Sequence, residues 1–135
     1  MNETAEQVVE RFQYIYIGDS FVKRLLVDFQ RMECTFLLNA GSILKDSSNP
    51  NIFDPAERYE PAALVFYGIR SISCPEGDFH LNSTIVDFEA RLDKPNNLVE
   101  FYLQMTGGID NESFMRSIVI KAQNFSLESP SKNPV

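Results

Sequence analysis

The sequence has few of the residues from which metal, disulfide and nucleophilic sites are built. It contains two cysteines, Cys34 and Cys74, and a single histidine, His80, among 135 residues. A zinc site needs three or four ligands at set spacing, and only Asp78 lies near His80 in the sequence. Cys34 belongs to an apolar strand face, where a buried thiol is normally inert. We therefore expect no metal, no cofactor and no catalytic residue.

Long apolar runs and phosphate-binding glycines are also lacking. No apolar run approaches the roughly 18 residues that a membrane-spanning helix requires. One glycine pair is present, Gly107-Gly108, but no Lys-Ser or Lys-Thr follows it, so a phosphate-binding loop is not indicated. The first seven residues are acidic where a secretory signal would be basic, and no apolar segment follows them. We expect a cytoplasmic protein with both cysteines reduced.

Positive charge is scarce, because 12 Lys and Arg stand against 19 Asp and Glu, for a net charge of −7. Such a charge repels phosphate backbones and favours a basic partner. The hydrophobic fraction of 44% is ordinary for a globular protein, and the length suffices for one stable core. We expect residues 1–128 to form a single domain and residues 129–135 to fray.

What the sequence does contain is alternation of apolar and polar residues. Three alternating segments, 84–92, 98–106 and 114–122, predict an antiparallel meander of three strands. The apolar residues predicted to face the core of this meander are Val86, Phe88, Ala90, Leu92, Val99, Phe101, Leu103, Met105, Ile118, Ile120 and Ala122.

Matching the apolar faces of these strands predicts their register, because a slip of one residue would turn every side chain to the other face. The first hairpin then sets Arg91 opposite Glu100, and the second sets Lys121 opposite the same Glu100. Each such cross-strand pair contributes only about 0.2 to 1 kcal/mol. The segment 107–114 is left as the second loop.

The outer face of the predicted meander carries a mixed polar and apolar group of residues. In this register Tyr102, Gln104 and Val119 lie beside Asp87 and Glu89. A wet sheet face does not raise a carboxylate pKa, so the two acids are not expected to perform acid–base chemistry. The five residues are instead a candidate contact patch for another protein.

The N-terminal segment predicts one amphipathic helix. Thr4 and Gln7 match a capping box at its start, and Gly18 can serve as the left-handed cap at its end. Its apolar stripe, which includes Phe12, is expected to pack on the sheet. A helix that docks on a partner is the alternative.

The remaining segments complete the predicted secondary structure. A hairpin is predicted over 21–40, and a central strand that is apolar on both faces is predicted over 62–73. Between them 41–60 lacks periodicity and predicts a long loop, with one helical turn beginning at Asp54-Pro55. The inward residues of the first hairpin strand are predicted to be Phe21, Leu25, Val27 and Phe29.

These segments add up to an α+β fold that is mostly β. We expect one N-terminal helix packed on an antiparallel sheet, or on a partly closed barrel, of about six strands.

Two phrases of the sequence resemble those of a family of small uncharacterised bacterial proteins. They are GDSFVKRLLVDF at 18–29, with an early Gly-Asp before a strand, and EPAALVFYGIRS at 60–71, with a later F-x-G-I-x-S strand. The resemblance implies a bacterial source, and it brings no catalytic residues.

The function expected from these observations is non-catalytic binding. The first hypothesis is neutralisation of a basic protein, as in an immunity or antitoxin protein whose acidic surface accelerates association. The alternative is a small-ligand carrier, with an apolar pocket enclosed by a curved sheet and the loop 41–60. Neither nucleic acid nor a membrane is expected as a partner, and the oligomeric state is left open.

Overall fold

The computed structural model describes residues 3–77, 83–107 and 114–130. Its one described α-helix, α1 (Ala5–Phe12), begins with the predicted capping box. The Thr4 side chain accepts a hydrogen bond from the Gln7 N–H at 3.2 Å, and the Gln7 side chain accepts one from the Thr4 N–H at 2.8 Å. The helix ends at Phe12 with Gln13 as its C-cap, so the predicted end at Gly18 is wrong. The chain extends there because the β-branched and aromatic residues after it pair as a strand.

Eleven strands occur in the described part of the chain. They are β1 (Ile15–Tyr16), β2 (Val22–Asp28), β3 (Glu33–Leu38), β4 (Gly41–Leu44), β5 (Phe53–Tyr59), β6 (Ala62–Tyr67), β7 (Ser71–Ser73), β8 (Thr84–Asp93), β9 (Leu98–Gly107), β10 (Phe114–Ala122) and β11 (Asn124–Glu128).

All strand pairings in the described residues are antiparallel, and they form three sheets ordered β1-β4-β5, β7-β10-β9-β8 and β11-β6-β3-β2. The predicted class, mostly antiparallel β with one N-terminal helix, is confirmed. The strands do not close into one barrel within these residues, and there are more of them than the six predicted.

The predicted register of the meander is confirmed in both hairpins. Arg91 lies opposite Glu100 in the β8–β9 pair, and Lys121 lies opposite Glu100 in the β9–β10 pair. The strands continue to Gly107 and from Phe114, and residues 108–113 of the predicted loop lie outside the described residues.

One face assignment in the meander is wrong, because a bulge interrupts β8. The register shifts between Ile85 and Asp87, so Val86 is an extra residue without a partner across the pair. Ile85 is fully buried while Val86 is 44% exposed. A bulge of one residue exchanges the two faces on one side of it, which a strict alternation rule cannot anticipate.

A second bulge changes the inward face of β2. The register against β3 shifts between Val22 and Arg24, so Val22 is buried in place of the predicted Phe21. Leu25 packs against the core as predicted, but Val27 and Phe29 are exposed. β2 is the outer strand of its sheet, and Phe29 lies in the turn that follows it.

The segment predicted as a long loop is a hairpin. β4 and β5 pair with each other, and β4 also pairs with β1, where Ile15 lies opposite Ile43. The predicted helical turn at Asp54-Pro55 is wrong, since both residues belong to β5. The Asp54 side chain accepts a hydrogen bond from the Ala56 N–H at 2.9 Å, which supports an extended bend instead of a helix start.

The predicted central strand divides into two strands that belong to different sheets. β6 lies between β3 and β11 and is buried on both faces, as predicted. Gly68 has a φ of 63°, a left-handed conformation that ends β6, and β7 follows in the other four-stranded sheet. Beside this turn the chain passes from β10 in one sheet to β11 in the other. There the Gln123 N–H donates a hydrogen bond to the Tyr67 carbonyl at 2.9 Å.

The two four-stranded sheets enclose one hydrophobic cluster between their inner faces. Phe66 of β6 contacts Phe101 of β9 with ring centroids 4.8 Å apart, which joins the two sheets. α1 packs over β8, β9 and β11 through Val8 and Phe12, so its apolar stripe lies in the core. Residues 131–135 of the expected frayed tail lie outside the described residues.

Candidate protein-binding surface

The five predicted contact residues lie together on the outer face of β8, β9 and β10. Glu89, Tyr102 and Val119 stand opposite one another in a row across the three strands, and Asp87 lies opposite Gln104 in the next row. We call these five residues the meander patch. Tyr102, Gln104 and Val119 are partly buried, whereas Asp87 and Glu89 are exposed. The patch therefore has an aromatic centre with carboxylates along one side.

A hydrogen-bonded chain supports the centre of this patch from the edge of the sheet. The Tyr102 hydroxyl lies 3.3 Å from the Ser117 hydroxyl, and the Glu76 carboxylate accepts hydrogen bonds from the Ser117 N–H at 2.7 Å and from its hydroxyl at 3.3 Å. The hydrogen bond from the Ser117 N–H lowers the pKa of Glu76. This role of Glu76 was not predicted, because the turn after β7 alone brings it beside β10.

The charges beside the patch are paired in a different way from the prediction. Arg91 forms an ion pair with Glu89, and Lys121 forms one with Asp93 at 3.3 Å. Glu100 lies between the two cations in register, as predicted, but both cations make their ion pairs with other carboxylates.

These pairings are reflected in the pKa values of the groups involved. The hydrogen bond to Glu89 raises the pKa of Arg91, and a hydrogen bond from the Asn96 side chain, with Lys121 beside it, lowers the pKa of Asp93. The face thus contains more carboxylates than cations, and its cations are already engaged.

The structure describes two of the four residues considered for metal or nucleophilic chemistry, Cys34 and Cys74. No group of three potential metal ligands occurs among the described residues, and His80 and Asp78 lie outside them. Cys34 and Cys74 do not form a disulfide with each other. Burial raises the pKa of the Cys34 thiol to about 12, so it remains protonated at neutral pH.

The space between the sheets, where a carrier would hold its ligand, is occupied by aromatic side chains. Phe12, Phe66 and Phe125 all contact Phe101, with ring centroids 4.8 to 5.7 Å apart. These contacts fill the middle of the core with protein atoms.

A second surface feature, which sequence reasoning missed, lies at the tip of the β2–β3 hairpin. Four large apolar side chains are exposed there, and they line a depression of about 290 Å³. We call them the hairpin-tip cluster: Val27, Phe29, Met32 and Ile72. The predicted inward positions include Val27 and Phe29, but Val27 lies near the end of the outer strand β2 and Phe29 lies in the turn after it, so both remain exposed. Exposed apolar groups of this kind mark interaction surfaces.

The fold defines a mostly β, antiparallel protein with one α-helix among its described residues. The chain belongs to DUF6258, a family of unknown function, whose model matches residues 6–135. The predicted membership of an uncharacterised family is confirmed. No curated protein matches the chain. In the described residues there is no helix that is long and apolar enough to span a membrane.

Proposed function

We propose that this protein is a non-catalytic binding domain that recognises a basic protein through the meander patch. The observation that carries this proposal is the row of Glu89, Tyr102 and Val119 on the outer face of the sheet. Tyrosine is enriched in protein interfaces because its ring supplies apolar contact area while its hydroxyl remains able to form hydrogen bonds.

Charge supports a basic partner over a neutral one. The net charge is −7. Among the described residues of β8, β9 and β10, four carboxylates (Asp87, Glu89, Asp93 and Glu100) stand on the same face as two cations, Arg91 and Lys121. Complementary charge accelerates encounter and suppresses wrong partners more than it adds affinity. Neutralisation of a basic toxin in the manner of an immunity or antitoxin protein is one form of this function. A bacterial source and a cytoplasmic location are part of the same proposal.

The proposal is tested by comparing what the tagged wild-type protein and two charge-matched variants retain from cells of the source organism. The first variant combines Asp87→Lys with Glu89→Lys in the meander patch. The second combines Glu10→Lys with Glu57→Lys, two exposed positions on α1 and β5. Both variants change the net charge equally, so a difference in what they retain reports on the meander patch and not on the overall charge of the protein.

A specific partner is expected to be retained by the wild type and by the Glu10/Glu57 variant, and to be lost from the Asp87/Glu89 variant. The retained protein is then purified, and its affinity is expected to fall by about tenfold or more with Tyr102→Ala. Equal retention by both variants would contradict the assignment of this face.

A further inference from the structure

The outer strands of the two four-stranded sheets differ in how well they are protected. An outer strand presents unpaired N–H and C=O groups that another strand can use, so proteins usually cover or distort it. β8 carries the bulge at Val86 and lies against α1. β7 has only three residues. At β11, the Arg11 guanidinium donates hydrogen bonds to the Phe125 carbonyl at 2.9 Å and to the Asn124 side chain at 2.5 Å.

β2 is the exception among these four outer strands. After its bulge it runs regularly from Arg24 to Asp28, and apart from the single bridge between Phe21 and Thr84 no described strand pairs with its outer edge. Leu26 is 48% exposed, Val27 is 41% exposed, and the next turn carries Phe29 at 83%. A regular edge with apolar side chains on both faces is suited to pairing with another strand.

We propose that β2 of one molecule pairs with β2 of a second copy of this chain, antiparallel about a two-fold axis, with Leu26 opposite its own counterpart. In this register Arg24 of each copy lies opposite Asp28 of the other. The strand is therefore complementary in charge to its own antiparallel copy, and the two-fold axis forms this ion pair twice.

The neighbouring registers lack this complementarity. Matching the two sheets face to face requires a shift by an even number of residues, because an odd shift would set outward side chains against inward ones. A shift of two in either direction sets Leu26 opposite Arg24 or opposite Asp28. The shifted pairing loses both ion pairs and the contact between the two Leu26 side chains.

The two charged groups are available for such contacts. Arg24 makes no ion pair with any other described residue, and the Asp28 side chain is 52% exposed. One Asp28 oxygen accepts hydrogen bonds from the Gln30 and Arg31 N–H groups at 3.1 Å each. These bonds hold the carboxylate at the end of β2. Its second oxygen lies 3.9 Å from the Arg31 Nε, in a long and exposed ion pair.

The proposed pairing also extends an apolar surface that the sheet already carries. On the outer face Leu26 lies in a row with Thr35 and Val65, and Leu37 and Ala63 stand in the next row. Joining two copies at Leu26 makes the outer-face apolar surface of one copy continuous with that of the other. The meander patch belongs to the other four-stranded sheet, so the dimer leaves both copies of it exposed and the inference is independent of the proposed function.

The test is the oligomeric state of the purified protein, measured by sedimentation velocity over a roughly hundredfold range of concentration. The wild type is expected to form a dimer in a concentration-dependent manner. Arg24→Asp and Asp28→Arg are each expected to raise the dimer dissociation constant by about tenfold or more, because each replaces two attractions with two repulsions. An equimolar mixture of the two variants restores both attractions, so native mass spectrometry should detect the heterodimer.

Two further variants make the experiment decisive. Lys45→Asp removes the same charge at an exposed position after β4 and should leave dimerisation unchanged. Leu26→Lys sets two like charges against each other on the axis without touching the turn that Asp28 supports, and it should yield a monomer with the wild-type circular dichroism spectrum. A wild type that stays monomeric throughout, or a mixture that forms no heterodimer, overturns the proposal.

Discussion

The ring of Phe12 in α1 meets the ring of Phe101 in β9 edge-on, with centroids 5.1 Å apart and planes inclined by 61°. Phe12 also contacts Phe125 at 4.9 Å and Phe88 at 6.3 Å, so one helical residue touches both four-stranded sheets. Only 2% of its surface is exposed. The helix is thereby part of the core, which removes its apolar stripe from the surfaces open to a partner.

Replacement of this residue should destabilise the whole protein. Phe12→Ala removes three ring contacts and leaves a cavity between the sheets, so we expect the free energy of unfolding to fall by about 3 to 5 kcal/mol. Urea denaturation followed by circular dichroism measures this change. Glu10→Ala, at an exposed position of the same helix, should change it by no more than about 0.5 kcal/mol. An unaltered midpoint for Phe12→Ala would mean that α1 is not held against the sheets.

Charge reversal at Glu100 should have a small cost. Glu100→Lys sets like charges opposite Arg91 and Lys121, and we expect a loss of about 1 kcal/mol on this wet face, less at high salt. Adding Arg91→Glu restores attraction in the first hairpin but breaks the ion pair with Glu89, so the double variant should recover only part of the loss. Thermal denaturation at low and high salt measures the loss in the single variant and the part that the double variant recovers. A loss of several kcal/mol would indicate that Glu100 points into the core.

Glu76 should link stability to acid pH. Its pKa is lowered in the folded protein, chiefly by the hydrogen bond from the Ser117 N–H. A lowered folded pKa contributes stability that is present above the unfolded value of about 4.3 and is lost as the pH falls through the folded value. The Ser117 amide proton shift, followed by NMR, should therefore titrate below pH of about 4.3 in the wild type and not in Glu76→Gln. A Ser117 shift that titrates identically in both proteins would contradict the contact.

Cys34 should link stability to alkaline pH in the opposite direction. Burial raises its folded pKa to about 12, while the unfolded thiol titrates near about 8.5. The stabilising effect is complete below the unfolded pKa and declines as the pH rises towards the folded pKa. The loss of stability amounts to about 2 kcal/mol at pH of about 10. Comparing the unfolding free energies of wild type and Cys34→Ala at neutral and alkaline pH isolates the contribution of this thiol to the alkaline loss of stability. An equal alkaline loss in both proteins would mean that the thiol is accessible to water.

Local patterns were sufficient for the helix start and for the meander. Thr4 and Gln7 form their capping box within one turn, so nothing distant is needed to predict it. The register that sets Arg91 opposite Glu100 followed from alternation, since only one register buries the apolar faces of both strands. The meander patch was predictable for the same reason, because side chains on one face of a known register have known neighbours.

The bulges and the additional strands were beyond such reasoning. A bulge at Val86 or after Val22 costs little locally and is selected by how the sheets meet, so alternation predicted the wrong face on one side of each. β4 and β5 carry weak periodicity and are strands because they pair with each other and with β1. Pairing of this kind depends on residues far away in the sequence.

The amino-acid sequence by itself determined the mostly β class, the start of the helix and, beyond the bulge at Val86, the faces and register of the meander, because each depends on periodicity or on contacts within a few residues. The tertiary structure decided which side chains remain outside. Phe29 looks like a core residue in the sequence, yet it is 83% exposed because it lies in the turn after β2, at the edge of a sheet. Burial is a property of the assembled sheets, so the surfaces from which function is proposed become visible only after the strands have been placed.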